Sequence, residues 1–165
     1  MKGGIFLLLG SNQGHAEENL SNARYALEQH AGIILKPSSI YRTEAWGNTD
    51  QPDFYNQVLE INTDLEPHAL LDTILKIEKD LGRVRAEKWG PRLTDIDILF
   101  YEDKVIHSES LSIPHPGLPF RRFTLVPLNE IAPDIIHPGL KKNIKTLLAE
   151  CSDVSDVKKA DVRYS

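Results

Sequence analysis

Two aspartates separated by a single residue are the feature of this chain that points most directly to chemistry. Asp95 and Asp97 lie in the segment Thr94–Tyr101, where apolar residues alternate as expected for a β-strand. Residues two apart on a strand project from the same face, with Cα atoms about 6.8 Å apart. The two carboxylates could therefore hold a divalent cation, although carboxylates on a strand face are also often simply solvated.

A basic segment leads directly to these carboxylates. Residues 83–92 read RVRAEKWGPR and contain Arg83, Arg85, Lys88 and Arg92. Because like charges repel, such a loop closes best around an anion, and guanidinium groups match phosphate oxygens in a bidentate way. Arg83 and Arg85 could instead interact with the C-terminal carbonyls of the preceding helix, which leaves Arg92 unexplained. With the two aspartates, the segment favours a polyphosphate bound with Mg²⁺, which prefers carboxylate, phosphate and water oxygens.

A second basic loop follows the aspartate strand. Residues 113–123 read IPHPGLPFRRF and place His115 between two prolines, near Arg121. An isolated histidine is more often an ordinary surface or core residue, and the five other histidines show no metal-ligand spacing. The position of His115 beside a cationic loop nevertheless makes it a candidate for anion binding.

Aromatic side chains supply a third candidate group. Phe54 and Phe123 could stack on the two faces of a flat ring, and Asn56 offers both a donor and an acceptor to the edge of a heterocycle. The alternative is that both phenylalanines are simple core residues. The segment Thr43–Phe54 is predicted to be a loop, and its Trp46 is costly to leave in water unless it covers something.

The elements that must position these residues follow from hydrophobic periodicity. The pattern predicts strands at Gly4–Leu9, Ile33–Arg42, Tyr55–Asn62 and Thr94–Tyr101, helices at Ala16–His30, Pro67–Gly82 and Leu140–Glu150, and a hairpin within Val105–Ile113. The order strand, helix, strand, strand, helix, strand predicts an α+β, ferredoxin-like fold. We expect helices on one face of an antiparallel sheet, followed by a C-terminal hairpin and helix extension.

Length and composition limit the remaining possibilities. The chain has 165 residues, of which 41% are hydrophobic and 26% charged, so we expect one globular domain over residues 1–165. The net charge of −5 disfavours nucleic-acid binding through the overall field. Ile5–Leu9 is too short an apolar run to span a membrane, and Cys151 is the only cysteine, so no internal disulfide can form. We expect a cytoplasmic protein without membrane or nucleic-acid partners, and a monomer.

Together these motifs closely resemble the signature of the 6-hydroxymethyl-7,8-dihydropterin pyrophosphokinases of folate biosynthesis. The most specific part is residues 82–99, GRVRAEKWGPRLTDIDIL. Shorter matching pieces occur in the same order and spacing along nearly the whole chain: residues 9–12 (LGSN), 41–43 (YRT), 51–56 (QPDFYN), 113–116 (IPHP) and 125–133 (LVPLNEIAP).

The resemblance implies a ferredoxin-like fold and a transferase of the kinase type, which moves the β,γ-diphosphate of ATP to the pterin hydroxymethyl group and releases AMP. It implies ATP as co-substrate and two Mg²⁺ ions held by Asp95 and Asp97. By the same match, the residues expected to handle phosphates are catalytic Arg83, Arg85 and Arg92, with His115 and Arg121 on the nucleotide side. Those expected to bind the pterin are Thr43, Trp46, Phe54, Asn56 and Phe123.

Two other functions fit parts of the pattern. Ferredoxin-like sheets also serve as RNA-recognition modules, but the required K/R-G-F/Y-G/A-F run is absent from the sequence. Palm-like nucleotidyl transferases also place strand carboxylates on two metal ions. That reaction releases pyrophosphate rather than AMP, so the nucleotide product distinguishes the two enzymes.

Overall fold

The computed structural model describes residues 4–44, 53–82 and 93–160. The strands are β1 (Ile5–Ser11), β2 (Ile33–Pro37), β3 (Tyr41–Thr43), β4 (Phe54–Asn62), β5 (Asp95–Tyr101), β6 (Ile106–His107), β7 (Ser112–Ile113) and β8 (Val157–Lys159). The helices are α1 (Ala16–His30), α2 (Pro67–Gly82), α3 (Arg122–Ile131) and α4 (Ile144–Glu150), with a 3₁₀ turn at Leu118–Phe120. None of the helices in these ranges is long and apolar enough to cross a membrane.

The main sheet is antiparallel throughout. Its order is β5-β1-β4-β3-β8, and β2 pairs with the far end of β4. The short strands β6 and β7 pair with each other, which confirms the predicted hairpin. Strands β1, β2, β4 and β5 therefore have the ferredoxin-like arrangement that the sequence predicts. β1 and β4 lie in the centre, and β5 lies at one edge.

Helices cover both faces of the sheet rather than one. Alternate residues of β1 divide between two cores: Leu7 and Leu9 pack with α1 and α2, whereas Phe6 and Leu8 pack with α3 and α4. The expectation of a single helical layer was wrong because α3 was not recognised. Its Pro127 removes a backbone donor from the helix interior, and three prolines in residues 113–119 made the whole region resemble a loop.

The predicted second strand is two strands. Between β2 and β3 the chain bends at Ser38, which follows Pro37 and lies beside Val58 of β4. The Ser38 amide donates to the Val58 carbonyl at 2.8 Å, and the Val58 amide donates to the Ser38 hydroxyl at 2.9 Å. A side chain thus replaces a backbone acceptor, and the ladder changes register without losing a hydrogen bond.

A bulge interrupts the alternation of β5. The register against β1 shifts between Phe6 and Leu7, so the residue faces change near Leu99. The alternation predicts Ile96, Ile98 and Phe100 on one face and Asp95, Asp97, Leu99 and Tyr101 on the other. Ile96 and Ile98 do share the α1–α2 core, but Phe100 packs with α3 and Tyr101 joins the α1–α2 core. The predicted faces are therefore wrong for the last two residues of β5 and correct for the segment that carries the aspartates.

Candidate active site

A cavity of about 490 Å³ opens on the α3 face of the sheet, where β1 ends and β4 and β5 begin. It brings together most of the residues predicted from the sequence: Thr43, Phe54, Asn56, Asp95, Asp97, Arg121 and Phe123. Residues that the sequence analysis did not assign to the site also line it: Leu8, Gly10, Ser11, Asn12, Glu44, Asp153 and Ser155. The three motifs far apart in sequence thus meet in one place.

The aspartate pair lies on the cavity side of β5. Asp95 pairs across the sheet with Gly10, and Asp97 pairs with Leu8. Between them, Ile96 is buried in the opposite core, which fixes both carboxylates on the cavity side. Asp95 is exposed and Asp97 is half-buried, so both carboxylates remain accessible from the cavity.

Two hydrogen bonds hold the outer edge of β5, one at Ile96 and one at Leu99. The buried Glu78 of α2 accepts a hydrogen bond from the Ile96 amide at 2.7 Å, and the His115 amide donates to the Leu99 carbonyl at 3.0 Å. An edge strand otherwise leaves such groups to solvent. These two bonds therefore fix the backbone on which Asp95 and Asp97 stand.

Asn56 lies beside the aspartates across β1. It pairs with Gly10, and a Cβ at position 10 would come within 2.7 Å of the Asn56 Nδ2 atom. The absence of a side chain at Gly10 therefore leaves room for the Asn56 amide, which donates to the Leu9 carbonyl at 3.4 Å. The Asn56 Oδ1 and Thr43 Oγ1 atoms are buried, and neither has a hydrogen-bond partner among the described residues.

The aromatic and cationic side chains lie on the cavity wall. Phe54 is 40% exposed and lines the cavity, so part of its ring surface is open to a ligand. The Arg121 guanidinium lies 5.8 Å from the centre of the Phe123 ring. It also packs over Gly117, because a Cβ there would lie 2.8 Å from Arg121 Cζ.

His115 lies next to this cavity rather than in its lining. Burial lowers the pKa of His115 below its usual value; the Asp97 carboxylate acts in the opposite direction, and Arg121 lowers the pKa further. Its Nδ1 accepts a hydrogen bond from the Gly117 amide at 3.0 Å. In the neutral ring the proton then resides on Nε2, which is left as a donor.

The C-terminal segment contributes a wall that the sequence analysis missed. β8 pairs with β3, and this pairing brings Asp153 and Ser155 to the cavity. Asp153 accepts hydrogen bonds from the Arg122 amide at 2.9 Å and from the Ser155 amide at 2.9 Å. No local motif marks these two residues, and only the short strand β8 could have indicated that the chain returns here.

Four predicted site residues lie outside the residues that the structure describes: Trp46, Arg83, Arg85 and Arg92. Their expected roles remain predictions from the sequence. Both described ends of the segment that contains the three arginines are anchored: α2 ends at Gly82, and the Ser11 hydroxyl donates to the Leu93 carbonyl at 2.5 Å.

Comparisons with known proteins give one consistent result. The family model described as 7,8-dihydro-6-hydroxymethylpterin-pyrophosphokinase matches residues 6–133. Proteins named 2-amino-4-hydroxy-6-hydroxymethyldihydropteridine pyrophosphokinase are similar along most of their length. The Aquifex aeolicus protein is 44% identical over 146 residues, covering 88% of this chain and 91% of its own. The Synechocystis protein is 43% identical over 148 residues, covering 89% and 75%.

Solved structures show the same fold. A crystal structure of wild-type Plasmodium falciparum HPPK-DHPS with pteroate superposes with a TM-score of 0.73 at 18% identity, over 91% of this chain and 44% of that chain. The wild-type structure with SDX-DHP gives a TM-score of 0.70 at 21% identity, over 88% and 43%. This chain spans less than half the length of these two solved chains. The match of the family model, together with relatives more than 40% identical, establishes that the chain belongs to the 7,8-dihydro-6-hydroxymethylpterin-pyrophosphokinase family.

Proposed function

We propose that the cavity beside Asp95 and Asp97 transfers the β,γ-diphosphate of ATP to the hydroxymethyl group of 6-hydroxymethyl-7,8-dihydropterin. The observation that carries this proposal is the combination found in that cavity. Two carboxylates on one strand face line the same cavity as two aromatic rings and two residues whose buried polar atoms have no hydrogen-bond partner in the described ranges. The reaction class comes from the family to which the chain belongs.

The pterin fits the Thr43–Asn56 side of the cavity. A buried polar atom without a partner carries a desolvation penalty, and a ligand that hydrogen-bonds it removes that penalty. Asn56 Oδ1 accepts a hydrogen bond, and the Thr43 hydroxyl can donate or accept one, so both suit the polar edge of a pterin ring. Phe54 and Phe123 supply the apolar surface for its faces.

The aspartate pair fits magnesium. Among the described residues no cluster of three or more His, Cys, Asp or Glu side chains is arranged to hold a metal. A pair of carboxylates suits Mg²⁺, which keeps positions for water and phosphate oxygens. Bound there with the nucleotide, Mg²⁺ would neutralise phosphate charge. Asp95 and Asp97 would hold it, and the resemblance implies two ions.

The nucleotide would lie toward Arg121 and His115. The Arg121 guanidinium can form bidentate bonds to phosphate oxygens, and its packing over Gly117 and Phe123 limits its freedom before binding. His115 would donate from Nε2 as a neutral ring, since burial holds its pKa below the usual value. Arg83, Arg85 and Arg92 would complete the phosphate site from the segment outside the described residues.

Catalysis at such a site rests on positioning and electrostatic stabilisation. The hydroxymethyl oxygen attacks the β-phosphorus, the bond from that phosphorus to the oxygen bridging the α- and β-phosphates breaks, and AMP leaves. The hydroxyl proton passes to solvent. The structure therefore needs no strong general base at the hydroxymethyl group, and the described lining contains no histidine or lysine.

The nucleotide product tests this proposal. Purified protein is incubated with ATP, Mg²⁺ and 6-hydroxymethyl-7,8-dihydropterin, and the products are separated by chromatography. We expect AMP and the pterin diphosphate in equal amounts, only with all three present. ADP would indicate an ordinary kinase, and pyrophosphate a nucleotidyl transferase; either result would overturn the proposal.

Carboxylate variants test the assignment of the metal site. We expect Asp97→Asn to lower kcat by at least about a hundredfold, since the loss of one ligand charge weakens phosphate neutralisation. Its melting temperature should stay near that of the wild type, because Asp97 is not in either core. Asp103→Asn, an exposed residue after β5, is the matched control and should retain full activity. Equal activity in both variants would refute the role of Asp97.

A further inference from the structure

The wall of the cavity next to Phe123 comes from a part of the chain beyond the family match. The family model ends at residue 133, whereas Asp153 and Ser155 line the cavity. β8 holds this segment in place by pairing Val157 with Thr43 of β3, and the Ala160 amide donates to the Ile40 carbonyl at 2.8 Å.

Asp153 satisfies a free donor at the start of α3. The residue before this helix, Arg121, makes no side-chain cap, and the amide of Arg122 has no acceptor within the helix because it is the first helical residue. Asp153 Oδ2 accepts from that amide at 2.9 Å. A carboxylate at a helix N-terminus is also favoured by the helix dipole.

The carboxylate is itself held in place. Its Oδ1 accepts hydrogen bonds from the Ser155 amide at 2.9 Å and the Ser155 hydroxyl at 2.5 Å. Burial opposes ionisation, but the bonds from Ser155 and Arg122 outweigh it and lower the pKa of Asp153. Asp153 therefore bridges the C-terminal segment and the first turn of α3.

The two cavity residues beside Arg122 depend on this bridge to different degrees. Phe123 belongs to the first turn of α3, so its ring direction follows the start of the helix. Arg121 precedes the helix; its guanidinium lies against the Phe123 ring but also packs over Gly117 of the neighbouring 3₁₀ region, which gives it a second support. A disturbance at Asp153 should therefore reach the Phe123 ring more strongly than the Arg121 guanidinium.

We propose that Asp153 is a positioning residue for pterin binding, which acts by capping α3 and thereby setting the Phe123 ring in the cavity. This inference rests on the proposed function, because it takes the pterin as the ligand that contacts Phe123. The C-terminal segment thereby contributes to binding of the pterin more than to binding of the nucleotide.

Separate titrations with the two ligands test this role. Calorimetry measures the dissociation constants for Mg-ATP and for 6-hydroxymethyl-7,8-dihydropterin in the presence of a non-hydrolysable ATP analogue. For Asp153→Ala we expect the pterin constant to rise about tenfold, within the range for loss of stacking on one aromatic ring, and the ATP constant to stay within about threefold. Asp153→Asn retains one carbonyl acceptor for the Arg122 amide but loses the acceptor for the Ser155 amide, so its pterin constant should rise less than that of the alanine variant.

Asp156→Ala is the matched control. Asp156 lies on the same segment, and its carboxylate pairs with Lys158 at 3.1 Å on the exposed surface, so neither ligand should bind differently. Unchanged pterin binding in Asp153→Ala would refute the inference. So would equal weakening of both ligands with a large drop in melting temperature, which would indicate a structural role only. A wild-type protein that binds no pterin would instead refute the proposed function.

Discussion

The geometry around Asn56 depends on one missing side chain. Gly10 follows the apolar run of β1, and its φ is not in the left-handed region, so conformational freedom does not explain the glycine. The close approach of Asn56 explains the glycine, because Asn56 Nδ2 lies 2.7 Å from the position that a Cβ would take. A methyl group there must displace an amide that is buried beside the cavity.

We therefore expect Gly10→Ala to weaken pterin binding with little loss of stability. The Asn56 amide is at the end of its side chain and can rotate away, which moves its Oδ1 acceptor from the place that we propose for the pterin edge. The dissociation constant for the pterin should rise by about five- to thirtyfold, the range expected for a lost hydrogen bond of about 1–2 kcal/mol. Calorimetric titration and a thermal melt measure both effects.

Gly4→Ala provides the comparison. A Cβ at Gly4 would also meet a side-chain end on β4 at 2.7 Å, here Glu60 Oε2, but outside the cavity lining. It should leave pterin binding unchanged. If Gly10→Ala also binds the pterin as the wild type does, the position of the Asn56 amide does not matter for pterin binding.

At the same scale, residue chemistry predicted much of the site. Asp95, Asp97, Asn56 and both phenylalanines were selected from type and spacing, and the cavity contains all of them. Asp153 could not be selected, since its significance comes from a hydrogen bond to Arg122 across 31 positions of sequence. Such a contact depends on the route of the chain, which no local pattern encodes.

Among the elements, α2 does more than cover the sheet. Its Glu78 is 9% exposed and bonds the Ile96 amide at 2.7 Å, so a helix side chain serves as the missing neighbour of an edge strand. Glu78→Ala should destabilise the protein by about 2 kcal/mol, because the side-chain acceptor is lost and the buried Ile96 amide is left without it. Glu78→Gln retains an acceptor and should cost about half as much.

Urea unfolding at pH 7 measures the loss of stability in both Glu78 variants, and steady-state kinetics measure the effect on kcat. Because Ile96 lies between Asp95 and Asp97, we also expect kcat to fall in the alanine variant and to recover largely in the glutamine variant. Glu66→Ala, at an exposed residue just before α2, is the control. Wild-type stability in Glu78→Ala would show that the Ile96 bond contributes nothing net.

Elements with a strong local sequence pattern were predicted correctly, and features without such a pattern were missed. Both bounds of α1 were predicted correctly, since Leu20, Ala23 and Leu27 form one stripe and Gly32 follows the end. The helix α3 was missed because Pro127 broke the pattern. The bulge in β5 was missed because a register shift arises from pairing with β1, not from the alternation of β5 itself.

At the scale of the whole molecule, two histidines with lowered pKa values make the stability of the fold depend on pH. Burial lowers the pKa of His115 and of His137 below their usual value in the folded state. His137 is 9% exposed, and its ring packs edge-on to Phe100 at 5.8 Å. Its Nδ1 accepts from the amides of Gly139 and Leu140 at 3.1 and 3.0 Å, bonds that a protonated Nδ1 cannot accept.

These shifts predict that acid destabilises the fold below about pH 6.5, the usual histidine pKa. A depressed histidine pKa means that the unfolded chain binds more protons, so stability is full above pH 6.5 and falls as the pH decreases. Each such histidine contributes at most about 1.4 kcal/mol per pH unit. Asp153 acts in a lower range, since its pKa is depressed from 3.8, and its contribution is lost only in stronger acid.

Urea unfolding at pH 8, 7, 6 and 5 tests this in the wild type and in His137→Asn. The asparagine carbonyl can still accept from the Gly139 or Leu140 amide but cannot be protonated in this range. We therefore expect the variant to be less stable at pH 8, because it loses the ring contact with Phe100, yet to lose less stability between pH 7 and pH 5. Identical slopes in the two proteins would show that His137 does not titrate on unfolding, and a flat wild-type profile would exclude both histidines.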